Sequence, residues 1–409
     1  MKSVNQTEQS GDHIQLSKRY SQRENSTPDV INATESASVP LNKSSKSLHY
    51  PMIDLLRGFA ALSVIVYHVI DHINWKNFPL NGPVGHWFRV GWMSVDLFFV
   101  ISGFVIVLSA VKSYEKSDSI ASFQRGYLKR RFTRIVPLHY LSCGLFLLFI
   151  VPEMLTLPRL KFHLLTHALF VHNWHPATIG SINGSNWSLG VEMQFYLLVM
   201  LAAGWLAKVR PIVLLSSCIC ISWVWRFSAW QLYDQQIKFG NNLTWMYTSQ
   251  VFGMLDLFAW GGVLAIILHR DKTGKIQLYL NRWWLSAVAA LLIAFPLMKI
   301  YWANAEYWTI PGMVTFWRTP EGLFWCLVLA AVCGLGDGRI SRLTLPLRYF
   351  GTISYGLYLW HIPVILSLKK TSLINHPETF LFYTLFLTCI CASVSWHFFE
   401  KPILDRCNK

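Results

Sequence analysis

Apolar residues gather along the chain into blocks of about 17–22, and a helix of that length crosses a hydrocarbon core of roughly 30 Å. Ten such blocks predict membrane helices, over 52–72, 92–111, 134–151, 187–207, 211–228, 250–268, 284–300, 321–336, 348–368 and 379–399. The stretch LLTHALFVHN at 164–173 is apolar but too short to span. It reads as an interfacial or re-entrant helix inside the long connection 152–186. Residues 1–48 break the pattern: they are rich in Ser, Asn, Gln and Glu and contain no apolar run. Such a segment buries too little apolar surface to offset the entropy of ordering, and it lacks the apolar centre of a signal peptide. The expected organisation is a disordered cytoplasmic tail over 1–48, a membrane domain over 49–403 and a short tail over 404–409. The expected fold is an all-α membrane bundle of about ten spans.

Composition agrees with that reading. The chain is 53% hydrophobic and 14% charged, where a soluble domain carries about 25% charged residues. A net charge of +15 would suggest nucleic acid in a soluble protein. Here the basic residues fall in the connections between blocks, so they act first as a topology signal and imply no nucleic acid. With the N-terminus in the cytoplasm, the inner connections hold 19 Lys and Arg and the outer ones 9. A full span at 164–173 would invert every later connection and destroy the asymmetry. Both termini are therefore expected in the cytoplasm. Most of the eight cysteines lie within apolar blocks and none form CxxC, so neither a disulfide framework nor a metal site is expected.

Against this apolar background the ionisable residues stand out. The stretch DLLRGFAALSVIVYH, residues 54–68, carries Arg57 and His68 in one span, and each such group costs about 2.5–3.5 kcal/mol on insertion scales. Eleven residues at about 100° each return a helix to nearly the same face, roughly 16 Å further along. Arg57 and His68 therefore share a stripe. The block GWMSVDLFFVISGF adds Asp96 and Ser102, NWSLGVEMQFY adds Glu192, and SYGLYLWHIP adds His361. Each alone is accounted for by a hydrogen bond between helices. Together they point to a buried polar cavity for proton transfer or substrate binding. GYLKRRFTRIVPLHY places Arg130, Arg131 and Arg134 beside Lys129. That cluster is either topogenic or an anion site, Arg131 and Arg134 sharing one face if the segment is helical. A proton-coupled transporter or a flippase for a lipid-linked sugar would bury the same residue types, although no inverted repeat is visible.

Six pieces in order resemble the acyltransferase-3 family of integral-membrane acyltransferases. They are Arg57 and His68 with ten residues between, DLFFVISGF (96–104), RRFTRIVP (130–137), WSLGVEMQFY (187–196), ISYGLYLWHIP (353–363) and EKP (400–402). The resemblance covers about residues 50–403. It implies acetyl-CoA or another acyl-CoA as donor, no tightly bound cofactor, and acyl transfer to an acceptor hydroxyl at or beyond the membrane. It makes Arg57 and His68 the essential pair and Arg131 and Arg134 the RxxR element. His68 is then expected to act as general base or as a transiently acylated relay, with Arg57 holding donor phosphate or carbonyl. Arg130, Arg131 and Arg134 would bind CoA phosphates, and Asp96, Ser102, Glu192 and His361 would orient His68 or bind acceptor. The acceptor stays open among exopolysaccharide, O-antigen, a lipid-linked saccharide precursor, a macrolide and other metabolites. Partners are the donor, that acceptor and membrane lipids, in a multi-pass protein of the bacterial inner membrane. With no hydrolase-like domain visible after 403, the chain either acylates its acceptor directly or hands the group to a separate protein.

Overall fold

The computed structural model describes residues 50–407 except 51, 81, 238–242, 305 and 336–342. The tail expected over 1–48 lies outside the described residues. Every predicted block is helical, and no strand occurs among the described residues. The helices are α1 (Ile53–His72), α2 (Met93–Lys116), α3 (Ile120–Phe149), α4 (Trp187–Leu206), α5 (Pro211–Ile237), α6 (Leu255–Arg270), α7 (Trp283–Ala303), α8 (Arg318–Gly334), α9 (Ser354–Leu368) and α10 (Pro377–Ser395). Among the described residues, eight helices are long and apolar enough to cross a membrane. Helices α8, with 17 residues, and α9, with 15, fall short of that length. The block expected over 348–368 is broken at Ile353, where a short helix, Leu345–Thr352, gives way to α9. That short helix presses on the start of α1, since a Cβ on Gly351 would lie 1.8 Å from the Asp54 carbonyl oxygen. The protein is an all-α, multi-pass membrane protein.

The main departure from expectation lies at α3. Hydropathy predicts its start at 134, yet the helix begins at Ile120, capped by Ser119, whose Oγ accepts the Ser122 N–H at 3.1 Å. Helix α2 likewise runs on to Lys116, so the expected 112–134 connection shrinks to residues 117–119. Hydropathy marks where the hydrocarbon ends, not where the helix ends. Lys129, Arg130, Arg131 and Arg134 therefore ride on a rigid helix rather than in a loop. The end of the chain differs too: residues Lys401–Cys407 are helical, where a tail was expected from 404.

Helix α2 is the axis of the bundle. It packs against α1, α4, α6 and α8, and 83% of its apolar window is buried, against 11% for the peripheral α7. Its contact with α6 is backbone to backbone. A Cβ on Gly103 would sit 2.0 Å from the Phe258 carbonyl oxygen, and one on Gly261 would sit 1.9 Å from that of Val100. Small residues permit such an approach where helices pack in lipid.

Beside this contact lies a buried ionic network. Arg226 of α5 donates to Asp256 Oδ2 of α6 at 2.5 Å, and Thr319 Oγ1 of α8 donates to the same oxygen at 2.6 Å. Arg318 of α8 reaches Asp96 of α2 at 3.2 Å. The network ties four helices together in a region without water to substitute for a lost partner.

The connection between α3 and α4 contains a helix, Leu160–Ala168, and no span, as its short apolar run implies. It is pinned to α3 by stacked imidazoles. The rings of His167 and His172 lie 4.2 Å apart at 10°, and that of His139 lies 6.0 Å from His172 at 20°. All three are buried. Cys143 Sγ lies 3.9 Å from the His139 ring, so a His/Cys cluster exists that no sequence spacing announces. Imidazole lone pairs lie in the ring plane, so parallel stacked rings cannot converge on one ion. Among the described residues no His, Cys, Asp or Glu group is arranged to hold a metal.

Two predictions follow from this packing. Asp256→Ala leaves Arg226 buried without its counter-ion and should cost about 3–5 kcal/mol, read as a lower thermal unfolding midpoint in detergent. Burial pushes His167 down to about 3 and His172 down to about 4, whereas an unfolded imidazole titrates near 6.5. Between those values the unfolded chain takes up protons that the folded connection refuses. Stability should be complete above pH 6.5 and fall as pH drops towards 4, by at most ~1.4 kcal/mol per pH unit for each histidine. A pH series of thermal unfolding, compared with His167→Asn, checks this; a flat profile would contradict it.

Candidate active site

Two adjoining cavities form one cleft at the basic end of the bundle. The larger, about 260 Å³, is lined by Lys129, Arg130, Arg131 and Arg134 of α3, Arg57 of α1, Ser102 of α2 and Glu192 and Tyr196 of α4. Leu404 and Cys407 of the terminal helix close one side. The smaller, about 70 Å³, shares Arg57, Ser102 and Glu192 and is otherwise walled mainly by Phe98, Phe99, Ser188, Tyr355 and Tyr358.

Several of these charged groups have a visible support. Glu192 and Tyr196 are one turn apart on α4, and the Tyr196 hydroxyl donates to Glu192 Oε1 at 2.6 Å. Ser102 Oγ donates to the same oxygen at 2.7 Å. Two donors on one oxygen fix the carboxylate where it lines the cleft. Ser102 is thus a hydrogen-bonding residue beside the Gly103 contact. The Arg131 guanidinium lies over the rings of Tyr127 and Tyr196, at 5.6 and 5.8 Å, an attraction between cation and ring face. Arg134 lies 3.8 Å from Glu400 and 5.2 Å over Trp396. Arg130 is exposed and donates to Ser113 Oγ at 2.9 Å. Arg57 Nε is buried without a hydrogen-bond partner.

Beyond the smaller cavity stand two histidines. Tyr358 walls the cavity, its hydroxyl donating to the Ser185 carbonyl at 3.0 Å and meeting Ser188 Oγ at 2.8 Å. Its ring lies 5.6 Å from that of His361. His361 Nε2 is 3.2 Å from His68 Nδ1, with ring centroids 4.9 Å apart. Helix α9 keeps its course here despite Pro363, whose missing N–H leaves the Leu359 carbonyl without its helical donor. Asn183 Nδ2 supplies one at 3.0 Å. The connection before α4 thus repairs the helix that carries His361.

The structure therefore brings Arg57, Ser102, Glu192, Arg130, Arg131 and Arg134 to one cleft and joins His68 to His361 past its inner end. Neither histidine lines the cleft; Tyr358 stands between. Asp96 departs from expectation, since it is turned to Arg318 and lines neither cavity. Asp96 and Ser102 are six residues apart, which puts them about 120° apart around α2, so one helix feeds the ionic network and the cleft from different faces. Arg226 and Asp256 are absent from the expected site residues, although each is an ionisable residue inside an apolar block, the same signal that singles out Arg57. Tyr196, Tyr355 and Tyr358 are absent too, although they lie within the quoted motifs.

A family profile described as "Acyltransferase domain" matches residues 50–398. The chain belongs to the acyltransferase-3 family. Among curated relatives, it is 27% identical over 387 residues to a putative peptidoglycan O-acetyltransferase, YrhL, of Bacillus subtilis, covering 88% of this chain and 56% of the relative. It is 25% identical over 386 residues to the O-acetyltransferase OatA of Staphylococcus aureus, covering 90% and 59%. It is 26% identical over 378 residues to the peptidoglycan O-acetyltransferase OatA of Listeria monocytogenes, covering 87% and 56%. The chain thus spans a little over half the length of these relatives. No solved structure matches it. Within the family's order of motifs, Arg57 of the α1 pair, the RxxR element of α3 and Glu192 of α4 line the cleft, while His68 lies past its inner end.

Proposed function

We propose that this protein is a membrane O-acetyltransferase that moves an acetyl group from acetyl-CoA to a hydroxyl of a cell-wall saccharide, peptidoglycan or a lipid-linked precursor. The observation that supports this most is the charge of the cleft. Five cations, Arg57, Lys129, Arg130, Arg131 and Arg134, line it beside one carboxylate, Glu192. Guanidinium forks match phosphate oxygens, and acetyl-CoA carries a diphosphate and a further phosphate. The Lys and Arg gathered on the helix ends and connections of that side support a cytoplasmic placement, where acetyl-CoA is found. The saccharide acceptor is carried over from the names of the relatives, and family membership argues against the transporter reading.

Transfer needs an alcohol made nucleophilic beside a thioester. His68 takes the acceptor's hydroxyl proton as that oxygen bonds to the thioester carbonyl carbon. The carbon–sulfur bond then breaks, and the leaving CoA sulfur recovers the proton from the imidazolium. Such base catalysis typically contributes 10²–10⁴-fold. Arg57 stays protonated, so it binds donor oxygen and cannot be the base. Glu192, held by Ser102 and Tyr196, faces the same passage as a fixed acceptor of hydrogen bonds.

His68→Ala should lower acetyl-CoA-dependent ester formation by about 10²-fold or more while the protein still inserts and folds; near-normal turnover would remove it as the base. Arg131→Ala with Arg134→Ala removes charge-assisted bonds worth roughly 1.5–3 kcal/mol each. The KM for acetyl-CoA should then rise by about tenfold or more with kcat little changed. An unchanged KM would reduce the cluster to a topology signal.

A further inference from the structure

The two histidines beyond the cleft have only one consistent arrangement of protons. His361 Nδ1 lies 2.7 Å from the Tyr358 carbonyl oxygen. A carbonyl can only accept, so that nitrogen carries the hydrogen and Nε2 of the same neutral ring bears a lone pair. His68 Nδ1 lies 3.0 Å from the Val64 carbonyl oxygen and 3.2 Å from His361 Nε2. Both neighbours are acceptors, so His68 Nδ1 also carries its hydrogen and shares it between them. The reverse assignment would set a bare nitrogen against a carbonyl oxygen at both rings. His68 Nε2 is then left as the free lone pair, the atom a general base needs. His361 is buried, while His68 is only partly so.

We propose that His361 is a positioning residue for acyl transfer: its Nε2 accepts from His68 Nδ1–H, aims the His68 ring and stabilises the imidazolium formed during the reaction. The proposal rests on the reading of His68 as the base. The Val64 carbonyl belongs to His68's own helix and sets the tautomer, but it cannot steer the ring towards a partner. His361 comes from α9, so its contact fixes the ring relative to the bundle. As His68 gains a proton its Nδ1–H becomes a stronger donor, so the contact tightens where the barrier lies, in the role a carboxylate fills in a hydrolase triad. A neutral partner suits this site, because among the described residues no carboxylate is bonded to either ring. The other titratable groups nearby are His72 and Tyr67 on α1, with Asp71 and Lys369 next to His72, and Tyr358 on α9. Asp96 of the adjacent α2 is turned to Arg318.

The test uses the full chain in lipid nanodiscs, with imidazole ¹⁵N NMR and acetyl transfer from acetyl-CoA to chitopentaose as probe acceptor. Both rings should show a protonated Nδ1 and a bare Nε2, with resonances assigned by loss in single variants. His361→Gln places an amide oxygen where Nε2 stood and should keep turnover within about tenfold. His361→Asn keeps a polar group beside Tyr358 but stops one bond short of His68. It should lose about 10²-fold in kcat, within the range of the base itself, with the KM for acetyl-CoA unchanged and the acid limb of the pH–rate profile displaced. His361→Leu should match Asn; if Leu fails to fold, the Gln and Asn pair still decides. A protonated Nε2 on His361, or equal kcat in Gln and Asn, would overturn the proposal. Should chitopentaose not be acetylated, the NMR pattern decides alone. Normal turnover in His68→Ala would instead remove the base reading, a separate outcome from either ring's tautomer.

Discussion

Within hydrocarbon a polar side chain finds no water, so it must be paired with another polar group or face a cavity. That constraint separates two groups of ionisable residues in this bundle. Arg226, Asp256, Arg318 and Asp96 are matched among themselves and packed shut between four helices. The basic end is different, because its five cations share a cleft with Glu192 and, among the described residues, form one further ion pair, Arg134 with Glu400. A cluster left short of counter-charge stays stable only where water or an anion can reach it. The imbalance, rather than the presence of arginine, separates a recognition site from a structural lock.

How much of this was legible in the sequence follows from what each signal measures. Apolar block length located each of α1 to α10, because the thickness of hydrocarbon sets the length of a span, although α8 and α9 are shorter than one. It misplaced the start of α3 by fourteen residues, since a helix continues past the hydrocarbon wherever caps and side chains allow, as Ser119 allows here. The eleven-residue spacing of Arg57 and His68 placed both on one stripe because both sit on one uninterrupted helix. Asp96 could not be placed by the same means. Which way a residue faces relative to another helix depends on packing, and Asp96 meets Arg318 of α8. The pairing of His68 with His361 joins residues 293 positions apart, beyond any local pattern.

The long connection between α3 and α4 has a structural role that its sequence conceals. Pro363 sits two residues beyond His361 and removes the donor that the Leu359 carbonyl would have had. An unpaired carbonyl inside a bundle costs roughly 1–3 kcal/mol. Asn183 fills that vacancy, and Ser185 holds the Tyr358 hydroxyl through its carbonyl. The imidazole stack of His139, His167 and His172 secures the same connection to α3. The segment is thus tied both to α3 and to α9, the helix that carries His361.

The EKP triplet near the end of the chain can be understood in the same terms. Pro402 cannot donate to the carbonyl four residues back, and its ring crowds that carbonyl in a regular helix. The chain answers with a wider turn over Trp396–Glu400, of the i to i+5 kind that often marks functional sites. The widened turn leaves Glu400 buried beside Arg134, accepting from Ser395 Oγ at 3.3 Å, while Trp396 lies under the same guanidinium. Proline therefore acts at a distance. By forcing the turn it places a carboxylate and a ring against one arginine of the basic cluster, and it points the terminal helix so that Leu404 and Cys407 wall the cleft. Arg134 is thereby pre-set in a way that Arg130, exposed on the same helix, is not. An anion entering the cleft meets one arginine held by a carboxylate and a ring, and others held only by rings or a hydroxyl.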